Sequence, residues 1–164
     1  MANRLENYHA VIQAPTFSLG VALHGSHVSS ITFLSESIGF AQSPKKDTHE
    51  AVQLVQSELN RYFENPNFNF TVKLSLAGTP FQRQVWRALQ KIPLGETRTY
   101  GQLARLLNTS ARAVGNACRR NPVPIVVPCH RVVAKHGKGG FAGETQGAMI
   151  AIKDWLLQHE KYHM

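Results

Sequence analysis

Residues Asn121-Pro122-Val123-Pro124-Ile125-Val126-Val127-Pro128-Cys129-His130-Arg131 constrain this chain more than any other stretch. Proline fixes its own φ and restricts the residue before it, so the backbone is limited on both sides of the apolar run. The sulfur of Cys129 should therefore have a defined position, as a reactive thiol at the floor of a pocket would need. His130 and Arg131 follow it directly, and cationic or proton-accepting neighbours favour the nucleophilic thiolate. The plain alternative is a small buried hydrophobe, with His130 and Arg131 on the surface of a strand.

The length of 164 residues suits one compact unit or two small ones, and a 43% apolar composition suffices for a core. No apolar run approaches the roughly 20 residues of a membrane span, and the N-terminal residues do not read as a signal peptide. The only cysteines are Cys118 and Cys129, so free thiols in a reducing cytoplasm are expected, and a disulfide between them is poorly motivated. Charge is divided unevenly. Residues 79–164 hold 13 Lys/Arg against four Asp/Glu, whereas residues 1–78 hold five against six. Between Glu96 and Glu144 there are eight basic residues and no acidic one. A solvated face normally mixes signs, so this asymmetry points to a polyanionic partner.

Residues 1–77 read as a small α/β domain with a structural role. Strands are expected over His9–Gln13, Phe17–Leu23 and His27–Leu34, broken at Ala14-Pro15-Thr16 and His24-Gly25-Ser26. Asp47 and Glu50 form a capping box for a helix whose apolar face is Ala51, Leu54, Val55, Leu59, Tyr62 and Phe63, with Glu58 at its end. Asn65-Pro66 stops that helix, and Phe68 to Leu76 reads as extended. His9, His24, His27 and His49 are scattered without cysteines at zinc-site spacing.

Residues 78–164 start with Thr79 as a cap and Pro80 at the first helical position. The stripe of this helix is Phe81, Val85, Ala88, Leu89 and Ile92. Thr99-x-x-Gln102 opens a second helix that buries Leu103, Leu106 and Leu107, and Ser110 caps a third running to about Arg120. Two short helices across a tight turn, the second small and basic, resemble a helix-turn-helix. On that helix Arg112, Gly115, Asn116 and Arg119 share an outward face, while Val114 and Cys118 share another that should pack inward, making Cys118 structural. Ala111, Ala113 and Gly115 permit close approach of the backbone to a ligand. Val132-Val133-Ala134 continues as a strand, followed by a glycine-rich loop, His136 to Gly143, without P-loop spacing. A last helix from about Gly147 to His159 should turn Ala148, Ala151, Ile152 and Trp155 to one side.

A thiol nucleophile in a basic helix-turn-helix unit implies chemistry on nucleic acid, and a stacked base reaches a buried sulfur only if flipped out. Five ordered blocks carry a family resemblance. They are Gly78-Thr79-Pro80-Phe81-Gln82-x-x-Val85-Trp86, Thr99-Tyr100-Gly101-Gln102-Leu103-Ala104, Ala111-Arg112-Ala113-Val114-Gly115-Asn116-Ala117, Asn-Pro-Val-Pro with Pro-Cys-His-Arg, and Trp155-Leu156-Leu157-x-His159-Glu160. Over residues 78–160 the chain resembles the O6-alkylguanine-DNA alkyltransferases, or methylated-DNA–protein-cysteine methyltransferases; residues 1–77 match in length and general pattern.

The resemblance implies a ribonuclease-H-like α/β domain followed by a winged helix-turn-helix-like, mostly helical domain. It implies a monomer that acts on double-stranded DNA without membrane, metal or cofactor. Cys129 would accept an alkyl group from O6 of guanine, once per molecule, from the minor-groove side. O4 of thymine stays open as a second substrate. His130 would take the thiol proton through a water, Glu160 would hold the imidazole, Tyr100 would help protonate the guanine at N3, and Asn121 would bridge the helix-turn-helix to the active-site loop. Arg112 would replace the flipped nucleotide. Ala111, Ala113, Gly115, Asn116, Arg119, Arg120, Thr79 and Tyr100 would meet the DNA, and Val132, Phe141, Ala142, Gly143 and Pro124 would form the pocket.

The chain departs from the family pattern in a short turn at Asn108-Thr109-Ser110, in Phe141 and Ala142 where hydroxyl residues occur, and in a longer link from Gly143 to Gly147. Three rivals remain: a lesion-binding relative, which would lack the cysteine; a sensing regulator, which would need an effector domain or dimer symmetry; and a cysteine hydrolase, for which a basic helix-turn-helix serves no purpose.

Overall fold

The computed structural model describes residues 8–34, 50–137, 139–143 and 146–162. They divide into two units, Met1–Ala77 and Gly78–Met164. Among the described residues no helix is long and apolar enough to cross a membrane.

In the first unit β1 (Ala10–Gln13), β2 (Ser18–His24) and β3 (His27–Leu34) form an antiparallel meander in the order β1-β2-β3. The β2–β3 hairpin closes with His24 opposite His27, and Gly25 supplies a φ of +60° at its tip. Alternation buries Leu19 and Val21 completely, and α1 (Glu50–Glu64) packs on the sheet through Val52, Val55, Leu59 and Tyr62. The buried face is rotated from the expected one: Val52 is inside, and Leu54 is 42% exposed. Asp47, the expected cap, lies outside the described residues. Glu58 has a definite task. Its carboxylate accepts from the main-chain N–H groups of Thr71 and Val72 and from the Thr71 hydroxyl, anchoring the extended segment. That segment then bridges β3, with Val28 N–H donating to Lys73 O at 2.8 Å and Ser75 N–H to Val28 O at 2.9 Å.

The second unit begins with α2 (Pro80–Gln90). Thr79 and Gln82 form a reciprocal capping box there, and Pro80 opens the first turn. Trp86, absent from the expected stripe, is fully buried, and its Nε1 donates to Ala117 O at 2.8 Å. Burying an indole of roughly 200 Å² at about 25 cal/mol/Å² contributes roughly 5 kcal/mol before entropy. Gly78 makes room for it, because a Cβ there would sit 2.5 Å from the indole.

A two-stranded parallel pair joins β4 (Arg98–Thr99) to β5 (Val132–Val133), and α3 (Tyr100–Leu106) starts with a second capping box, Thr99 with Gln102. The short turn after α3 is a complete Schellman motif. Thr109 N–H donates to Ala104 O, Asn108 N–H donates to Arg105 O, and Asn108 takes the left-handed conformation at φ +53° that asparagine tolerates. Ser110 then caps α4 (Ala111–Arg119) by accepting from Ala113 N–H.

Two helix faces differ from expectation. On α3, Leu103 and Ala104 are buried, Leu107 is half-buried, and Leu106 is 73% exposed, because the chain leaves the helix one residue later. On α5 (Ala148–Tyr162) the inner face is Ile152, Lys153, Leu156, His159 and Glu160, while Ala148 and Ala151 are exposed. Trp155 is half-buried and stacks on His159, ring centroids 4.6 Å apart, and His159 is buried.

Candidate active site

The segment from Asn121 to Cys129 is a tightly hydrogen-bonded loop rather than a strand. Asn121 clasps it from both sides: its Nδ2 donates to Val127 O at 2.8 Å and its Oδ1 accepts from Val123 N–H at 3.0 Å. Val127 N–H donates to Val123 O, which forces Ile125 to φ +74°, a conformation costly for a β-branched residue. Pro128, at φ −82° and ψ 66°, makes an inverse γ-turn in which Cys129 N–H donates to Val127 O. Cys129, His130 and Arg131 follow as one 3-10 turn leading into β5. Residues 123–130 are all buried.

His130 is fully buried, and its Nε2 lies 2.7 Å from Glu160 Oε1 on α5. Arg131 approaches the same carboxylate two-pronged, Nε donating to Oε2 and Nη2 to Oε1, each at 2.9 Å, while its Nη1 donates to Ile92 O at 2.7 Å. Burial alone would raise the Glu160 carboxyl, but the contacts with His130 and Arg131 outweigh it and hold the group well below the usual carboxylate range. Burial also lowers His130, against the pull of Glu160, so the imidazole is neutral at neutral pH. A neutral ring facing a carboxylate carries its proton on Nε2 and donates it to Glu160. The remaining lone pair is then on Nδ1, which is buried and has no hydrogen-bond partner among the described residues.

The Cys129 thiol is pushed up by burial, partly offset by Asn121, Lys153 and its own backbone. Its sequence neighbours do not offset this: His130 is neutral, and the charge of Arg131 is paired with Glu160. At rest Cys129 is a thiol that needs a base.

Cys129 opens onto a pocket of about 440 Å³. One wall is α4, through Ala111, Arg112, Gly115, Cys118 and Arg119; the other is the loop Gly140–Gly143, with Tyr100 between them. Phe141, Ala142 and Gly143 line this pocket, whereas Val132 and Pro124 are buried and do not line it. The Tyr100 hydroxyl donates to Gly140 O at 3.4 Å, and burial, with lesser contributions from Cys118 and Cys129, pushes it up to about 12. Gly139, at φ +74°, is needed for this packing, since a Cβ would lie 2.9 Å from the Tyr100 ring.

Asn116 and Arg120 are exposed, Ala113 is half-buried, and none of the three lines the pocket. Thr79 serves as the α2 cap. Cys118 lines the pocket instead of packing with Val114, because α4 turns Ala117 and Val114 to the core. Lys153 escaped the sequence reading altogether. It is fully buried on α5, and its Nζ donates to Val132 O at 2.7 Å and Gly140 O at 2.9 Å. Its one signal was a lysine beside the i, i+4, i+8 stripe formed by Ile152, Leu156 and Glu160. Among the described residues no three His, Cys, Asp or Glu side chains are grouped to hold a metal.

Over residues 80–162 the sequence matches the family described as 6-O-methylguanine DNA methyltransferase, DNA binding domain. The methylated-DNA–protein-cysteine methyltransferase of Methanosarcina mazei is 38% identical over 161 residues, covering 96% of this chain and 99% of that protein. The crystal structure of Mycobacterium tuberculosis O6-methylguanine methyltransferase aligns with a TM-score of 0.78 at 36% identity, covering 96% of this chain and 94% of that one. A second structure of the Mycobacterium tuberculosis protein, in complex with DNA, aligns with a TM-score of 0.77 at 38% identity, covering 93% and 92%.

Proposed function

The chain belongs to the 6-O-methylguanine DNA methyltransferase family, and from that premise we propose that it repairs DNA by direct reversal, moving a methyl or other small alkyl group from O6 of guanine to its own Cys129. One relation carries the reading: a buried thiol beside an imidazole whose Nε2–H is committed to Glu160, so that Nδ1 is left as a base. A water between sulfur and Nδ1 passes the thiol proton to His130, and Glu160 stabilises the imidazolium as it forms. The sulfur attacks the alkyl carbon, the S–C bond forms, and the C–O6 bond breaks with its electron pair returning to the base. Tyr100 remains protonated at neutral pH and supplies a hydrogen bond or proton at guanine N3. The S-alkylcysteine is a poor leaving group, so each molecule reacts once.

The relatives are named methylated-DNA–protein-cysteine methyltransferases, and one structural neighbour is a complex with DNA; both support duplex DNA as partner. In this reading α3 and α4 form the helix-turn-helix of a winged domain, residues 1–77 form a ribonuclease-H-like structural domain, and α4 enters the minor groove. Ala111 and Gly115 allow close approach, Arg112 fills the stack vacated by the flipped nucleotide, and Arg119 and Arg120 meet phosphates. Binding is sequence-independent and falls steeply with salt. The site of action is the cytoplasm, where the two cysteines stay reduced.

The test is an intact-mass time course with a duplex carrying one O6-methylguanine. A single methyl gain mapped to Cys129, and lost in Cys129→Ala, is expected. Tight binding to the lesion without any mass gain would sink the transfer reading.

A further inference from the structure

The pocket and α4 do not account for all of the unbalanced charge in the second unit. Between Glu64 and Glu96 the chain has no acidic residue, and α2 carries Arg83 and Arg87, with Lys91 as its C-cap. At 3.6 residues per turn these three lie within about 80° of one another around the helix axis. The opposite face, Val85, Trp86, Ala88 and Leu89, is buried, and Trp86 ties it to α4. Arg83, Arg87 and Lys91 are exposed, none of them pairs with a carboxylate among the described residues, and none lines the pocket. They form a second basic surface on the same unit.

This stripe works against its own helix. Like charges at i, i+4 repel, and the stripe holds two such pairs, Arg83 with Arg87 and Arg87 with Lys91. Lys91 suits the negative end of the helix dipole, but Arg83 stands in the opening turn, where an acidic residue would be favoured and none is present. An external anion would supply the missing counter-charge. The other exposed side chains on this face, Gln84 and Gln90, are amides that can donate to phosphate oxygens. The exposed large hydrophobic residues among the described ones are Leu54 and Leu106, and neither is on α2. A protein partner would need an apolar core to its interface, which this face lacks. The helix rises about 12 Å from Arg83 to Lys91. One strand of a duplex places a phosphate about every 3.4 Å along its axis, so the stripe is long enough to meet about three in succession.

We propose that the outer face of α2 is a second DNA-contacting surface, in which Arg83, Arg87 and Lys91 grip the phosphate backbone of a duplex outside the contact made by α4, without reading bases. The choice of duplex DNA as the anion rests on the function proposed above; the uncompensated stripe does not. Such a surface adds affinity that is indifferent to sequence and to the lesion, and it holds the protein on undamaged duplex between encounters with a target.

The experiment measures affinity for an undamaged duplex across a salt series by fluorescence anisotropy. Each phosphate contact contributes about 0.9 to the slope of log affinity against log salt. The triple variant Arg83→Gln, Arg87→Gln, Lys91→Gln is therefore expected to flatten that slope by about 2 to 3 and to bind at least about tenfold more weakly at low salt. Arg83→Lys with Arg87→Lys keeps the charge and should keep the wild-type slope. Urea unfolding checks that the triple variant folds, and its midpoint should not fall, because two repulsions are gone. A slope that changes by less than about 0.5 in the folded variant overturns the proposal. Weaker binding to single-stranded DNA with duplex binding intact overturns it as well. If the triple variant does not fold, Arg87→Gln and Lys91→Gln decide singly: each should lose about 0.9 of slope, and unchanged slopes in both overturn the proposal. Methyl transfer from an O6-methylguanine duplex is followed in parallel with wild type. Absent transfer with a flattened slope in the variant removes the function reading and leaves the surface, whereas transfer with an unchanged slope does the reverse.

Discussion

Glu160→Gln is the sharpest perturbation of this site because it keeps the shape and changes only charge and one acceptor. Glu160 is 1% exposed, and its Oε1 serves both His130 Nε2–H and Arg131 Nη2–H, while Oε2 serves Arg131 Nε–H. The glutamine will place its single oxygen where Oε1 stood, keeping two bonds and turning its NH2 against the Nε–H of Arg131. One charge-assisted bond is lost, and a largely buried guanidinium loses its counter-charge. Removing one partner of a buried pair costs about 3–5 kcal/mol, and the residual 13% exposure of the Arg131 side chain puts the expectation at the lower end, about 3 kcal/mol. Both tryptophans, Trp86 and Trp155, lie in the second unit, so urea unfolding followed by indole fluorescence reports on this unit directly.

Catalysis should suffer separately. The carboxylate favours the imidazolium that forms as His130 takes the thiol proton, and a positioned general base contributes about 10²–10⁴-fold. A roughly 100-fold slower methyl transfer in rapid-quench assays is expected.

The pH dependence has a definite sign. Because the native Glu160 carboxyl is held below its unfolded value of about 4.3, its stabilisation is fully present above that pH and is lost as pH falls toward the native value. The stability gap between wild type and variant should therefore be constant near neutrality and narrow below about pH 4. Likewise, the lowered His130 stays a base below its ordinary value of about 6.5, so wild-type transfer should persist into mildly acidic solution. A folded Glu160→Gln protein with wild-type transfer and a stability loss under about 1 kcal/mol would refute the relay.

Two further predictions concern the pocket walls. Arg112→Ala removes an exposed side chain that lines the pocket, so transfer from duplex should fall about 10–100-fold, since unstacking a base costs a few kcal/mol; iodoacetamide labelling of Cys129 should not change. Equal losses in both assays would show that Arg112 supports the fold rather than the DNA. Gly139→Ala places a Cβ at φ +74° and 2.9 Å from the Tyr100 ring, so it should cost about 1–2 kcal/mol in urea unfolding and slow transfer by displacing Tyr100. Unchanged stability and rate would mean that the wall yields freely.

What the sequence makes legible depends on how far apart along the chain the interacting residues lie. Helix starts were legible because a cap and its partner lie three residues apart: Thr79 with Gln82, Thr99 with Gln102, and Ser110 with Ala113 N–H. The strands of the first unit were legible through alternation and turn residues. Which residues of a helix face inward was less so. A stripe spans more positions than are buried, and only the neighbouring elements choose among them, turning Leu54 and Leu106 out and Val52 and Trp86 in.

The site divides the same way. Cys129 and its proline-bounded loop announce themselves in sequence, and the ordered family blocks around them point to the chemistry. The sequence by itself thus determined the elements, their caps, the candidate nucleophile and the concentration of basic residues in the second half of the chain. Tertiary structure decided the rest. It brought Glu160 to His130 and Arg131 across about thirty residues, turned Cys118 into the pocket and buried Lys153 beside it. The physical reason is that caps and stripes are written in bonds between residues one turn apart. Burial of charge and the neutrality of an imidazole depend instead on which helix packs over the active-site turn, and no local spacing encodes that.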